Sequence, residues 1–357
     1  MTEKEQIARI VEPLLSWFAD NRRPLPFREG RDAYRIWVSE IMLQQTRTAA
    51  VIPYFERFMA RFPTVYALAA ADEDEVNKLW EGLGYYSRAR NLLRCARTVV
   101  ERYGGVLPHT AAELCKLPGI GEYTAGAIAS LAYGEPEPAV DGNVLRVLMR
   151  VLASERDIAD VRVKREVREL LARVYPRGTA AGNLTEAIME LGESVCIPNG
   201  APKCENCPLC KQCRANLMKN ASLFPVKSPK KPRRIEERTI LLVTDGERFL
   251  LRRRPPKGLL AGLYEPLNLE GTLSEPALQE HLGALGYAVS SIAPLTPAVH
   301  IFSHVEWHMQ TYLVRIGADS PLQEGDLFLG TAEIAASCAI PSAFRHVAAY
   351  LKGEATV

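Results

Sequence analysis

Five of the chain's eight cysteines fall between residues 196 and 213, in the pattern Cys196-x7-Cys204-x2-Cys207-x5-Cys213 with Cys210 as a spare. Four thiolates this close in sequence can converge on one tetrahedral zinc ion or on one cubane iron–sulfur cluster, and either would force the stretch into a tight loop. Spacing alone does not choose between them. Disulfides belong to oxidising compartments. The charged start, Met1 to Glu5, lacks the apolar core of a signal peptide, and no stretch approaches the ~18 apolar residues that span a bilayer. The sequence therefore reads as a cytoplasmic, non-membrane protein, where clustered cysteines hold metal. The other three, Cys95, Cys115 and Cys338, read as small buried hydrophobes.

At 357 residues the chain suggests two or three domains. From Ile7 to about Phe224 the apolar spacing is helical, with Gly and Pro punctuation and no alternating strand. The Pro-rich basic stretch from Lys227 to Glu237 reads as an exposed linker. Beyond it, the run from Thr239 to Thr244, then Asp245-Gly246, then the run from Arg248 reads as a β-hairpin. The expected division is a helical domain at 1–226, a linker at 227–237 and an α+β domain at 238–357. A net charge of only +2 gives no whole-chain sign of a nucleic-acid partner, so any such site must come from local basic patches.

Four stretches of the first domain carry candidate chemistry. In Pro138-Ala139-Val140-Asp141-Gly142-Asn143-Val144, an Asp-Gly-Asn turn enters an apolar run, which places Asp141 or Asn143 at a helix N-terminus. A helix cap is the plain reading; a reactive carboxylate is the functional one. In the run from Ile36 to Thr46, Glu40 shares a helix face with Ile36, Trp37, Leu43 and Gln44. Apolar surroundings would disfavour its charged form and suit it to carry a proton as a general acid. The segment from Trp80 to Asn91 pairs glycines and tyrosines with arginines, a composition that meets bases and phosphates as readily as it makes a turn. Finally, Leu117-Pro118-Gly119-Ile120-Gly121 joins two helical patterns, and the backbone of such a helix-hairpin-helix can grip phosphate without reading bases.

Together these stretches resemble the adenine DNA glycosylases of the MutY family, within the helix-hairpin-helix superfamily that includes endonuclease III. The resemblance rests on Val38 to Thr46, Glu81 to Arg90, Leu117 to Gly126 and Val140 to Val144. It implies a [4Fe-4S] cluster on Cys196, Cys204, Cys207 and Cys213. It also implies Glu40 as the acid that protonates adenine N7, Asp141 as the carboxylate facing the sugar, and Tyr123 and Asn143 as supporting groups. Arg28 and Glu186 match adenine-pocket positions, Gln45 and Tyr85 groups inserted into the duplex, Thr46 and Leu83 positions on the lesion side, and Gly119 and Gly121 the phosphate-gripping hairpin. The chain departs from the family in Phe27, where Trp is more usual, and in a first cysteine interval one residue longer.

The C-terminal part resembles the Nudix-like domain of the same family through the stretch from Gly258 to Glu265 and through Phe302-Ser303-His304. No clustered acidic box follows Glu265, so nucleotide hydrolysis is not expected, and by resemblance Phe302, Ser303 and His304 lie in a loop that recognises 8-oxoguanine. The implied protein is multidomain: an all-α helix-hairpin-helix glycosylase domain with an iron–sulfur loop, plus an α+β Nudix-like domain. It would act as a monomer on double-stranded DNA carrying 8-oxoguanine:adenine or guanine:adenine mispairs. Tyr123 stands where a Schiff-base lysine would sit in a bifunctional lyase, which implies a monofunctional enzyme. An inactive iron–sulfur DNA sensor is the rival, and Glu40 with Asp141 argues against it.

Overall fold

Helical spacing in the first half resolves into real faces: Ile7, Ile10, Leu14 and Phe18 lie along one side of helix Glu3–Asn21 and are all buried. The computed structural model describes residues 1–229, 232–318 and 320–355; Lys230 and Lys231 of the expected linker lie outside them. The N-terminal helix starts at a capping box, in which Thr2 and Glu5 satisfy each other's backbone N–H groups. Its apolar side packs on two further helices, Gly142–Leu152 and Thr179–Ser194. In Gly142–Leu152 every residue from Val144 to Leu152 is buried, so from Val144 onward this helix is a core rod. A fully buried leucine or valine side chain contributes about 1.5–3 kcal/mol, so burial of that rod adds substantially to the unit's stability.

The hairpin at residues 115–121 joins helix Ala111–Leu114 to helix Glu122–Tyr133. Gly119 holds φ +76°, and a Cβ there would fall 2.6 Å from the Cβ of Asn91, so both backbone and space demand glycine. These helices belong to a first unit made of Met1–Ala70 and Asn91–Pro229, all-α in its described elements.

The second unit combines Lys230–Val357 with Ala71–Arg90. Polar contacts between distant residues tie the inserted segment in. Asp74 accepts from Arg253 Nη2 at 2.8 Å and from the Tyr264 hydroxyl at 3.1 Å. Lys78 Nζ donates to the Cys338 carbonyl at 2.9 Å, and Arg90 Nη1 to that of Ala261 at 2.7 Å. No local periodicity announces such bonds.

The rest of this unit is α+β, built on β1 (Arg234–Thr244), β2 (Arg248–Arg253), β3 (Tyr264–Glu265), β4 (Leu267–Glu270), β5 (Val289–Ile301), β6 (Val305–Ile316) and β7 (Asp326–Gly330). The order is β3-β2-β1-β6-β5, with β4 also paired to β1 and β7 to β2; β1 and β6 run parallel and the other pairs antiparallel. The β1–β2 hairpin is the one expected from Asp245-Gly246, but β1 begins at Arg234, inside the stretch read as linker. Alternation along β1 supplies two cores. Ile240 and Leu242 face Trp307, Ile334 and Phe344, while Leu241 and Val243 face Leu278 and Leu282 of helix Glu275–Ala284. Among the described residues no helix is long and apolar enough to cross a membrane.

Candidate active site

Glu40 sits late in helix Ala33–Leu43, which Asp32 caps by accepting from Arg35 N–H at 2.8 Å. Its side chain is fully buried, yet its partners are not the apolar ones its own helix suggests. The Tyr123 hydroxyl donates to Oε2 at 2.7 Å and Arg28 Nη2 donates to Oε1. Arg28 Nε also lies 4.0 Å from Glu186 Oε1. Burial alone would lower the Arg28 pKa, but the charges of Glu40 and Glu186 outweigh it and hold the group above its usual value. Burial, then the negative charges of Glu40 and Asp141, push Tyr123 well above the usual phenol value, so it remains an O–H donor. Burial likewise raises Glu186, against the pull of Arg28.

Asp141 is the N-cap of helix Gly142–Leu152, as its turn predicts. Oδ1 accepts from Val144 N–H at 2.8 Å and Oδ2 from Asn143 Nδ2 at 2.9 Å. Burial raises the Asp141 pKa; those hydrogen bonds oppose the rise and the charge of Glu40 adds to it. Asn143 is itself oriented, because its Oδ1 accepts from Arg146 Nη2 at 2.7 Å. Arg146 also donates to the carbonyls of Gly192 at 2.7 Å and Cys196 at 2.8 Å. Neither Arg146 nor Gly192 is expected from the sequence. The available signals were an arginine inside an apolar run and a glycine inside a helix, both weak by themselves.

Glu40, Tyr123, Asp141, Asn143, Arg28 and Glu186 all line one cavity of about 420 Å³, as do Phe27, Gln45 and Thr46. Phe27 is buried edge-on to Phe55, with the Arg28 guanidinium over its ring at 5.2 Å. Gln45 is exposed and holds φ +59°, a left-handed backbone uncommon for a residue with a side chain. At the hairpin, a Cβ on Gly121 would point into open space.

Leu83, Tyr85, Phe302, Ser303 and His304 belong to the second unit instead. Tyr85, also left-handed at φ +48°, places its hydroxyl 2.6 Å from Ser303 Oγ, which brings together two residues expected to touch DNA. Phe302 anchors the β5–β6 turn, with its ring edge-on to Trp307 and His300, and Ser303 and His304 are exposed beyond it. Glu265 is held by Arg254 at 2.6 Å and by Asn268 at 2.9 Å.

Cys196, Cys204, Cys207, Cys210 and Cys213 line a separate small cavity together with Arg150. Arg150 is buried and donates from Nη1 to Cys196 Sγ at 3.2 Å, while Cys213 Sγ donates to the Arg150 carbonyl at 3.3 Å. A buried guanidinium beside sulfur suits a thiolate ligand. As arranged, no group of three or more Asp, Glu, His or Cys among the described residues is set to hold a single metal ion. Cys115, expected to be buried, is exposed; Cys95 and Cys338 are buried.

Residues 38–173 match the helix-hairpin-helix GPD superfamily of base excision DNA repair proteins, and residues 238–350 match the NUDIX domain. The chain is 37 % identical to the adenine DNA glycosylase of Rattus norvegicus, over 86 % of this chain and 70 % of that protein. It is 37 % identical to that of Homo sapiens over 87 % and 67 %, and 32 % identical to one from Buchnera aphidicola over 85 % of each. Among solved structures it is similar to a thermostable thymine-DNA glycosylase (TM-score 0.54, 28 % identity, 60 % of this chain and 98 % of that one). It is also similar to an endonuclease III in a non-covalent DNA complex (TM-score 0.52, 26 % identity, 61 % and 99 %).

Gly192 offers a direct check on how Asn143 is held. A Cβ there would lie 2.7 Å from Asn143 Cβ, so Gly192→Ala should push Asn143 away from Asp141 and destabilise the fold by about 1–3 kcal/mol, read from urea unfolding. Unchanged stability would show that the helices separate freely at this point.

Proposed function

The chain belongs to the adenine DNA glycosylase family, and from that premise we propose that it removes adenine from double-stranded DNA by hydrolysing the N-glycosyl bond. One observation carries the reading: two carboxylates, each held by its own donors, line a single cavity with Tyr123 and Asn143. In its protonated form Glu40 delivers a proton to adenine N7, and the C1′–N9 bond breaks with its electron pair leaving on the base. The sugar becomes cationic at C1′, and Asp141, fixed at the helix start, faces that charge. Glu40, now anionic, takes a proton from water as its oxygen bonds to C1′, which restores the enzyme and leaves an abasic sugar. Tyr123 supplies no amine, so the reaction is monofunctional, and Arg28 and Glu186 hold the base. The adenine must leave the helix stack to reach the cavity.

We assign to the second unit the choice of 8-oxoguanine over guanine opposite the adenine, through Phe302, Ser303 and His304, with Gln45, Thr46, Leu83 and Tyr85 engaging the opened duplex. In support, Ser303 and His304 are exposed on an anchored turn, and Gln45 and Tyr85 each keep a left-handed backbone. Strain of that kind recurs at binding sites. Gly119 and Gly121 present the hairpin backbone to phosphate.

We further propose that Cys196, Cys204, Cys207 and Cys213 hold a [4Fe-4S] cluster. In support, these cysteines line one small cavity, where buried Arg150 donates to the sulfur of Cys196. When bound, the cluster would cross-link residues 196–213 through four iron–thiolate bonds. Cys196 and Cys213 also contact Arg150 on helix Gly142–Leu152, which Asp141 caps.

Three measurements test these assignments. Glu40→Gln should bind an adenine:8-oxoguanine duplex about as well as the parent and excise at least ~100-fold more slowly; near-parental excision would remove Glu40 from the mechanism. The double change Ser303→Ala with His304→Ala should narrow the preference for 8-oxoguanine over guanine, since each lost base contact costs about 1–3 kcal/mol. Undiminished discrimination would place lesion reading elsewhere. Purified protein should contain iron and sulfide in equal amounts and no zinc; Cys210→Ser should keep them and Cys213→Ser should lose them. Loss of iron from the Cys210 variant would mean that the ligand set is different.

A further inference from the structure

The cavity holding Glu40 and Asp141 is acidic at its mouth as well as in its depth. Its lining carries five carboxylates, Glu40, Asp141, Glu186, Glu190 and Glu193, against three guanidiniums, Arg23, Arg28 and Arg47. Arg28 is taken up by Glu40 and Glu186. Duplex DNA carries one negative charge per ~1.7 Å of its axis, so a nucleotide approaching this mouth meets charge of its own sign. The carboxylates that face the cationic sugar are indispensable to the chemistry; Glu190 and Glu193 have no such duty.

One side chain bridges those two. Arg23 lies just past helix Glu3–Asn21, and it pairs through Nε with Glu190 at 2.7 Å and through Nη2 with Glu193 at 2.5 Å. Thr48 Oγ1 donates to the same Glu193 carboxylate at 3.2 Å. The Arg23 and Glu193 side chains are each 42 % exposed whereas that of Glu190 is 9 % exposed, so Arg23 joins a buried carboxylate to an exposed one. Their charge still acts on an incoming polyanion. Resting on the reading that the cavity receives an adenine from duplex DNA, we infer that Arg23 is a positioning residue that screens Glu190 and Glu193 and so lets the phosphates beside the displaced nucleotide settle at the mouth. Arg23 acts through the two glutamates and needs no contact with DNA itself. A guanidinium gripping phosphate directly would make the opposite prediction for glutamate removal.

The test uses the full-length protein and a duplex with 8-oxoguanine opposite 2′-fluoro-2′-deoxyadenosine, whose glycosidic bond resists cleavage. Arg23→Gln should bind it on the order of tenfold more weakly at low salt, with the deficit shrinking as salt rises. At saturating enzyme, single-turnover excision of ordinary adenine should keep its parental rate. Adding Glu190→Gln and Glu193→Gln to Arg23→Gln should restore affinity. Failure of that rescue, parental affinity in Arg23→Gln, or a slowed chemical step with normal affinity would each overturn the inference. A parent protein that leaves adenine in place would instead overturn the proposed function, so the two failures are told apart.

Discussion

The burial of helix Gly142–Leu152 is the constraint on which the first unit depends. Such a helix needs its first N–H groups capped, and arginines within it must find partners inside the protein. Asp141 meets the first demand by capping the N-terminus at Val144. Arg146 and Arg150 meet the second by reaching backbone carbonyls of Gly192, Cys196, Ile197, Ala221 and Phe224. One rod thereby fixes a carboxylate at its tip and organises the cysteine loop along its flank. The close approach of Gly192 lets Arg146 serve Asn143 and the helix behind it at the same time.

The same burial sets the electrostatics of the cavity. Desolvation raises Asp141, Glu186 and Tyr123 together, and buried Arg28 sits among carboxylates that hold its charge in place. The reaction proposed here needs negative charge opposite a transient cation and a polyanion as substrate. Those two requirements conflict, and an acidic cavity with arginines at its depth and its mouth is a compromise between them.

Much of this site was legible in the sequence because its signals are local. A turn followed by an apolar run marks Asp141 as a cap, and an acid in an apolar helix singles out Glu40, although neither pattern says that the two share a cavity; the family resemblance supplied that. The polar partners of Glu40 come from residues 28 and 123, beyond the reach of helical periodicity. Arg146, Gly192 and the bridge from Arg23 to Glu190 and Glu193 depend on approaches between distant segments. The β1–β2 hairpin was legible from Asp245-Gly246, whereas the parallel pairing of β1 with β6 joins strands about sixty residues apart and leaves no local mark. Basic residues at 233 and 234 resemble a linker by composition, yet Arg234 already pairs with Val305.

The insertion of Ala71–Arg90 into the second unit has a consequence for how the chain is made. A ribosome releases this segment early, but its partners Arg253, Ala261, Tyr264, Ser303 and Cys338 lie far downstream. At ~5–20 residues per second, roughly 160 residues separate Arg90 from Arg253, an interval of roughly 8–30 seconds. The first unit is complete in sequence once residue 229 emerges, while residues 71–90 still await those downstream partners. Asp74, Lys78, Tyr85 and Arg90 wait through that interval for the hydrogen-bond partners they hold in the finished protein. A helical segment that interrupts its own domain thus becomes a timed vulnerability of the nascent chain, and synthesis that stalls between the two units would leave it without its cover.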